Sequence, residues 1–254
     1  MKHRIIPTLL WNGFGLVKGS AFQATRNIGP VVPAIEVFKK RDVDELVIMD
    51  IDQSKCNLTE PDVLSIADFV ENCNVPLAYG GGISTIESAR ALLSAGVDKI
   101  IINTHQYTKP TLISELAERF GSQAVVCAID ARKNAQSTFT AYSHCGQKNE
   151  SLDPLKIASQ AERLGAGEIL LTSIDHEGLM AGYDIELTQL ITESINIPVI
   201  ASGGAGNPQH CIDVVAQGGA SAVAIGSAFF YTELTPDDIR LAFKKVKLPV
   251  RTVL

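Results

Sequence analysis

Residues 44–52 read DELVIMDID and residues 167–175 read GEILLTSID. Each has a glutamate at the same place, Glu45 and Glu168, then an apolar run, then Ile-Asp. The offset of about 123 residues recurs along the chain. VPLAYGGGIS (75–84) matches IPVIASGGAG (197–206). AGVDKIIINT (95–104) matches GGASAVAIGS (218–227) once a one-residue slip is allowed. The second half therefore repeats the first, and what one half builds the other should build again.

Each of these runs has the length and β-branched content of a buried strand. Working outward gives eight candidates: RIIPTLL, ELVIMDI, PLAYG, KIIIN, AVVCAID, EILLTSI, PVIASG and AVAIG. Between them lie stretches such as IESARALLSAG, PTLISELAERFG and IASQAERLGAG, apolar at helical spacing and closed by glycine. Strands alternating with helices predict parallel βαβ units. Eight units in 254 residues predict an α/β fold, a single (β/α)8 barrel over 1–254, assembled from two similar half-barrels.

Bulk composition narrows the function class. Net charge is −6, so no basic field points to nucleic acid. No apolar run approaches the ~20 residues of a membrane span, and MKHRIIPT lacks the pattern of a signal peptide. A cytoplasmic protein is expected. Cysteines 56, 73, 127, 145 and 211 have no paired spacing and read as reduced thiols. His105, His144 and His176 fall on separate loops without ligand spacing, so neither a metal nor another cofactor is expected.

Glycines mark the candidate site. YGGG (79–82) and SGG (202–204) end the third and seventh strands, and the next strand of each half ends in small polar residues. Glycine lets backbone approach a ligand, and free amides at a helix start attract anions. Gly203, Gly204, Gly226 and Ser227 fall where barrels most often bind phosphate, after strands 7 and 8. The repeat adds Gly81, Gly82, Asn103 and Thr104 across the mouth, which suits an elongated ligand with a phosphate at each end. Tight βα turns alone are the alternative reading of the same glycines.

FGSQAVVCAIDAR (120–132), RLGAGEILLTSIDHEG (163–178) and IASGGAG (200–206) are close to signatures of one family. Through them, and over essentially its whole length, the chain resembles the HisF family, cyclase subunits of imidazole glycerol phosphate synthase. The resemblance implies ammonia delivered by a HisH-like glutaminase docked on the N-terminal face of the barrel, and cyclisation of a bis-phosphorylated intermediate at the other. It implies that Arg4, Glu45, Lys99 and Glu168, at the starts of strands 1, 2, 4 and 6, form a salt-bridged ammonia gate, with Asp98 meeting the glutaminase. A stabilising charged rim is the plainer alternative. It also implies substrate-binding roles for Lys18, Asp50, Thr172 and Gly178, and for Glu177 in place of the family's aspartate.

The family reaction uses two carboxylates, at the tops of strands 1 and 5. Asp130 is the second; the first position is Leu10, between Leu9 and Trp11. Leucine exchanges no proton, and losing one acid–base group costs ~10²–10⁴-fold in rate. Loop 1 departs as well, with NGFG (12–15) and GPV (29–31) replacing polar family elements. In this the chain is similar to amidination-associated paralogues of the WbuZ type, which have an apolar residue at the strand 1 position. The resemblance implies a barrel that conducts ammonia toward a sugar amidotransferase in surface-polysaccharide synthesis. Two alternatives stay open: a cyclase of histidine biosynthesis with a rearranged acid, and a sensor of a phosphorylated metabolite.

Overall fold

A computed structural model describes residues 2–52 and 60–251. Eight parallel strands form a closed barrel: β1 (Arg4–Trp11), β2 (Leu46–Asp50), β3 (Leu77–Gly80), β4 (Lys99–Ile102), β5 (Val125–Lys133), β6 (Glu168–Ser173), β7 (Val199–Ser202) and β8 (Ala222–Ile225). Closure is made by β1, which pairs in parallel with β2 on one side and β8 on the other. Leu10 lies opposite Met49, and Ile6 opposite Ala224. Each observed strand matches the sequence expectation to within three residues at either end.

Strand alternation sorts side chains into two layers, because successive residues face opposite sides of a sheet. Along β1, Ile5 and Leu9 join the apolar layer under the helices, while Ile6 belongs to a separate interior cluster. That cluster fills the lumen with Ile6, Val47, Ala128, Leu170 and Ala224 among others, so the barrel axis is apolar along its middle.

The surrounding helices begin where the sequence supplies caps. Thr85 opens the helix Ile86–Ser94 with a capping box to Ser88, and Thr235 opens Pro236–Lys245 in the same way with Asp238. Asp153 and Asn207 cap helices whose first residue is proline, Pro154–Arg163 and Pro208–Ala216. Proline needs no amide partner there, so the helix start is fixed at little cost.

Two β-hairpins escaped the sequence reading. One follows β1, with strands Leu16–Ser20 and Gln23–Gly29. The other follows β5, with Phe139–Ser143 and Lys148–Asn149; in it Tyr142 pairs with Asp130. They stand at equivalent places in the two halves. Their polar, short strands carry no long apolar run, which is why they read as loops. Their tips meet above the barrel: a Cβ added to Gly146 would lie 2.8 Å from the Phe22 ring. Ala21 N–H, at the first tip, donates to Glu177 O at 2.9 Å, tying that hairpin to the loop after β6.

Among the described residues no helix is long and apolar enough to cross a membrane.

Candidate functional site

At the N-terminal end of the barrel four charges close a ring. Arg4 Nη1 reaches Glu45 Oε2 at 2.6 Å and Nη2 reaches Glu168 Oε1 at 2.7 Å. Lys99 Nζ lies 2.8 Å from Glu45 Oε2 and 3.0 Å from Glu168 Oε2. Each cation therefore bridges both anions, and the ring is neutral overall. The Glu45 side chain is only 3% exposed. Stranding a buried carboxylate by removing its partners typically costs 3–5 kcal/mol, so the ring holds together as a unit. The four residues, read as a set from the sequence, are brought together by the structure. Asp98, beside the ring, is exposed, but one carboxylate oxygen accepts from Leu77 N–H at 2.9 Å and thereby fixes the start of β3. Asp44 does the same for Ile5 N–H at 2.9 Å.

Above the apolar lumen, a cavity of about 290 Å³ opens at the C-terminal ends of the strands. Every top-face position expected from the sequence lines it: Lys18, Asp50, Asn103, Thr104, Asp130, Thr172, Glu177 and Ser227, with Gly81, Gly82, Gly178, Gly203, Gly204 and Gly226. Leu10 is there as well, beside Met49, giving the strand 1 side of the cavity an apolar floor.

Asp130 is held by its neighbours. Asn103 Nδ2 donates to its Oδ2 at 2.6 Å, and Thr172, opposite it across the β5–β6 ladder, bonds it too. Burial raises the Asp130 pKa to about 7. The Thr172 and Asn103 hydrogen bonds oppose that rise, and the Glu177 charge adds to it. A carboxyl that exchanges its proton near neutrality is suited to acid–base work. Asp50, by contrast, is bound by Tyr79 Oη–H at 3.2 Å and Asp52 N–H at 3.1 Å, which makes it an anchor for the end of β2.

Lys18 comes in from the first hairpin and is almost completely buried. Its Nζ donates to Thr8 O at 3.0 Å and lies 5.4 Å from the Phe230 ring centroid. Burial lowers its pKa to about 8, against the opposing charge of Glu177. Burial likewise raises the Glu177 carboxyl, with Lys18 pulling it back. A Cβ on Gly226 would collide with Lys18 Nζ, so the missing side chain there makes room for the ammonium beside Ser227.

The other cradle glycines have a different reason to be glycine than ligand approach alone. Gly203 has φ +90°, and a Cβ there would stand 2.7 Å from Ser173 O. At Gly81, φ +140°, it would stand 2.6 Å from Asp50 Cβ. The chain's own packing demands both residues. The same surface carries buried polar atoms without hydrogen-bond partners among the described residues: Ser227 Oγ, Thr8 Oγ1, Asn103 Oδ1 and Glu177 Oε2. Such groups are costly unless something pairs with them.

The sequence reading missed several lining residues. Thr8 was legible, since it shares the inward alternation of Arg4 and Leu10. His105 and His144, read as loop residues, and Cys145, read as a reduced thiol, were not: they are placed on the cavity wall by the short helix Thr104–Thr108 and the second hairpin. His176 is instead engaged locally, its Nδ1 2.7 Å from Gly182 O. Cys56 lies outside the described residues.

The histidine biosynthesis protein family matches residues 4–235. A Pseudomonas aeruginosa protein named "Putative imidazole glycerol phosphate synthase subunit hisF2" is 40% identical over 231 residues, covering 91% of this chain and 92% of its own. Imidazole glycerol phosphate synthase subunit HisF of Trichormus variabilis is 39% identical over 258 residues, covering 99% of this chain and 98% of its own. With barrel, charged ring and top cavity coinciding with a match of that extent, the chain belongs to the HisF family.

Proposed function

We propose that this barrel is the synthase-side subunit of a glutamine amidotransferase, conducting ammonia from a HisH-like glutaminase bound at the charged ring. The observation that carries the reading is the pairing of an intact, neutral ring with Leu10 at the cavity end of the same strand. Ammonia crosses an apolar lumen far more easily than ammonium, because a charged group out of water pays a heavy desolvation penalty. A ring of paired charges above which the walls are Ile6, Val47 and Ala128 selects for the neutral form. At the top, one acid–base carboxyl where the family reaction uses two makes cyclisation ~10²–10⁴-fold slower. The ammonia then passes to a separate acceptor, a sugar amidotransferase in surface-polysaccharide synthesis. Gly81, Gly82, Asn103 and Thr104, and opposite them Gly203, Gly204, Gly226 and Ser227, hold a phosphorylated small molecule, with Lys18 as its buried cation.

The test is a purified complex with its glutaminase. Glutamine-derived ammonia should be released while almost no imidazole glycerol phosphate forms. Robust cyclase turnover by the barrel alone with ammonium overturns the proposal.

A second reading, a cyclase of histidine biosynthesis, is favoured by Asp130, whose carboxyl burial raises to about 7, and by the match to the histidine biosynthesis protein family. Growth of a cyclase-deficient, histidine-requiring strain carrying this gene decides for it; failure to grow decides against it.

A further inference from the structure

The tip of the second hairpin carries a chain of polar groups that neither ammonia passage nor the phosphate cradles use. Ser143, completely buried, has its Oγ within hydrogen-bond reach of two partners, Glu150 Oε1 and His144 Nδ1, the latter at 2.8 Å. Glu150 Oε2 is ion-paired with Lys148 Nζ at 3.0 Å, and a carboxylate in such a pair can only accept. The single hydroxyl proton of Ser143 is therefore committed to Glu150. Toward His144 the Ser143 oxygen can only accept, so the proton on the neutral imidazole sits on Nδ1. Nε2 is left with its lone pair bare, and it has no hydrogen-bond partner among the described residues.

The backbone holds His144 at the cavity wall. His144 lines the top cavity together with Asp130 and His105. Its N–H donates to Thr104 Oγ1 at 3.3 Å, fastening the hairpin tip to the cradle after β4. His144 and Cys145 hold φ values of +51° and +54°, ahead of Gly146 at +76°. Two successive non-glycine residues in the left-handed region cost on the order of 1–2 kcal/mol each. Strain of this kind persists where the surroundings over-determine it, and it gathers at functional sites.

We infer that His144 is a proton-accepting side chain of the cavity, a partner to Asp130, with Ser143 and Glu150 as positioning residues that set its tautomer. Its substrate class is a phosphorylated small molecule whose phosphate occupies the Asn103–Thr104 cradle, and the assignment of that ligand rests on the cradle reading above. His144 accepts a proton at Nε2 from a hydroxyl or amine of the ligand and returns it from the same atom, so no external reagent is required. It thus brings a second acid–base group to a cavity whose strand 1 position is Leu10.

Two measurements on the full-length protein test this. Long-range ¹H–¹⁵N correlation spectra report the tautomer directly. The Nδ1–H form is expected for His144, reverting toward the Nε2–H form common in free imidazole when Ser143→Ala removes the acceptor. An Nε2–H tautomer in the unaltered protein overturns the inference. In the second measurement, diethylpyrocarbonate labelling of His144 is followed by peptide mass with inorganic phosphate as the probe. At ten times the dissociation constant found by calorimetry, about a tenth of the sites remain free, so labelling should slow about tenfold. Unchanged labelling despite phosphate binding removes His144 from the ligand-facing wall. Absence of phosphate binding overturns the cradle reading and the ligand assignment with it, while the tautomer result separately decides the orientation of His144.

Discussion

Asn103 donates to Asp130 across 2.6 Å, so a residue at the end of β4 holds the buried carboxyl at the top of β5. The contact links the two groups to which the proposal gives phosphate binding and proton transfer. It also opposes the rise in the Asp130 pKa that burial causes. Asn103→Ala should therefore move the Asp130 titration above about 7, seen as an upward shift in its ¹³C carboxyl midpoint. A midpoint that moves down contradicts the assignment.

The same carboxyl has a signature in stability. Its folded pKa of about 7 exceeds the ordinary aspartate value of about 3.9. The folded state therefore favours the protonated form. That contribution is complete below about pH 4 and is lost as pH rises through about 7. Asp130→Asn, which is neutral at every pH, should gain on the parent protein between pH 5 and pH 8, by up to a few kcal/mol. Urea unfolding at the two pH values measures the difference; an equal effect at both sinks the prediction.

Lys18 should show a conflict between binding and stability. Its folded pKa, near 8, is lowered by burial, so carrying the charge destabilises the fold below about pH 8 and ceases to do so above the ordinary lysine value. Lys18→Met should raise the thermal midpoint at pH 7 and raise it less at pH 10.5. It should also weaken inorganic phosphate binding by about tenfold or more, since a charge-assisted hydrogen bond contributes about 1.5–3 kcal/mol. Calorimetry and thermal scans on one variant check both arms.

The ring at the other end predicts a loss of containment. Glu45→Ala leaves Arg4 and Lys99 sharing Glu168 alone. About 3–5 kcal/mol of stability should be lost. In complex with the glutaminase, more glutamine-derived ammonia should escape to bulk solvent relative to Glu45→Gln, which keeps the side-chain volume. Equal leakage from the two variants would mean the ring only closes the barrel floor.

Leu10→Asp restores a second carboxyl to the cavity. Where its absence is what limits cyclisation, imidazole glycerol phosphate formation should rise by ~10²–10⁴-fold over the parent. A flat response, with the variant folded by circular dichroism, would place the block elsewhere, such as in the altered first hairpin.

Much of this was written in local pattern. The repeat relating DELVIMDID to GEILLTSID required two like half-barrels, and strand alternation put Arg4 and Leu10 on one inward face. The charges of the ring were recognisable through the family resemblance, which matches all four at strand starts, and the structure brings them together. The two hairpins were not legible, because a short polar strand is stabilised by its partner and carries little signal of its own.

The sequence by itself determined the barrel and the apolar residue at Leu10 opposite Asp130 in the repeat, since each depends on period or on identity at one position, and its family resemblance pointed to the ring. Only the tertiary structure decided what the groups at the mouth do. Burial moves Asp130 and Lys18 toward neutrality, and Ser143 Oγ comes to stand between Glu150 and His144 Nδ1. Those properties belong to the surroundings of a side chain, and residues far apart in the chain become surroundings only when the barrel closes.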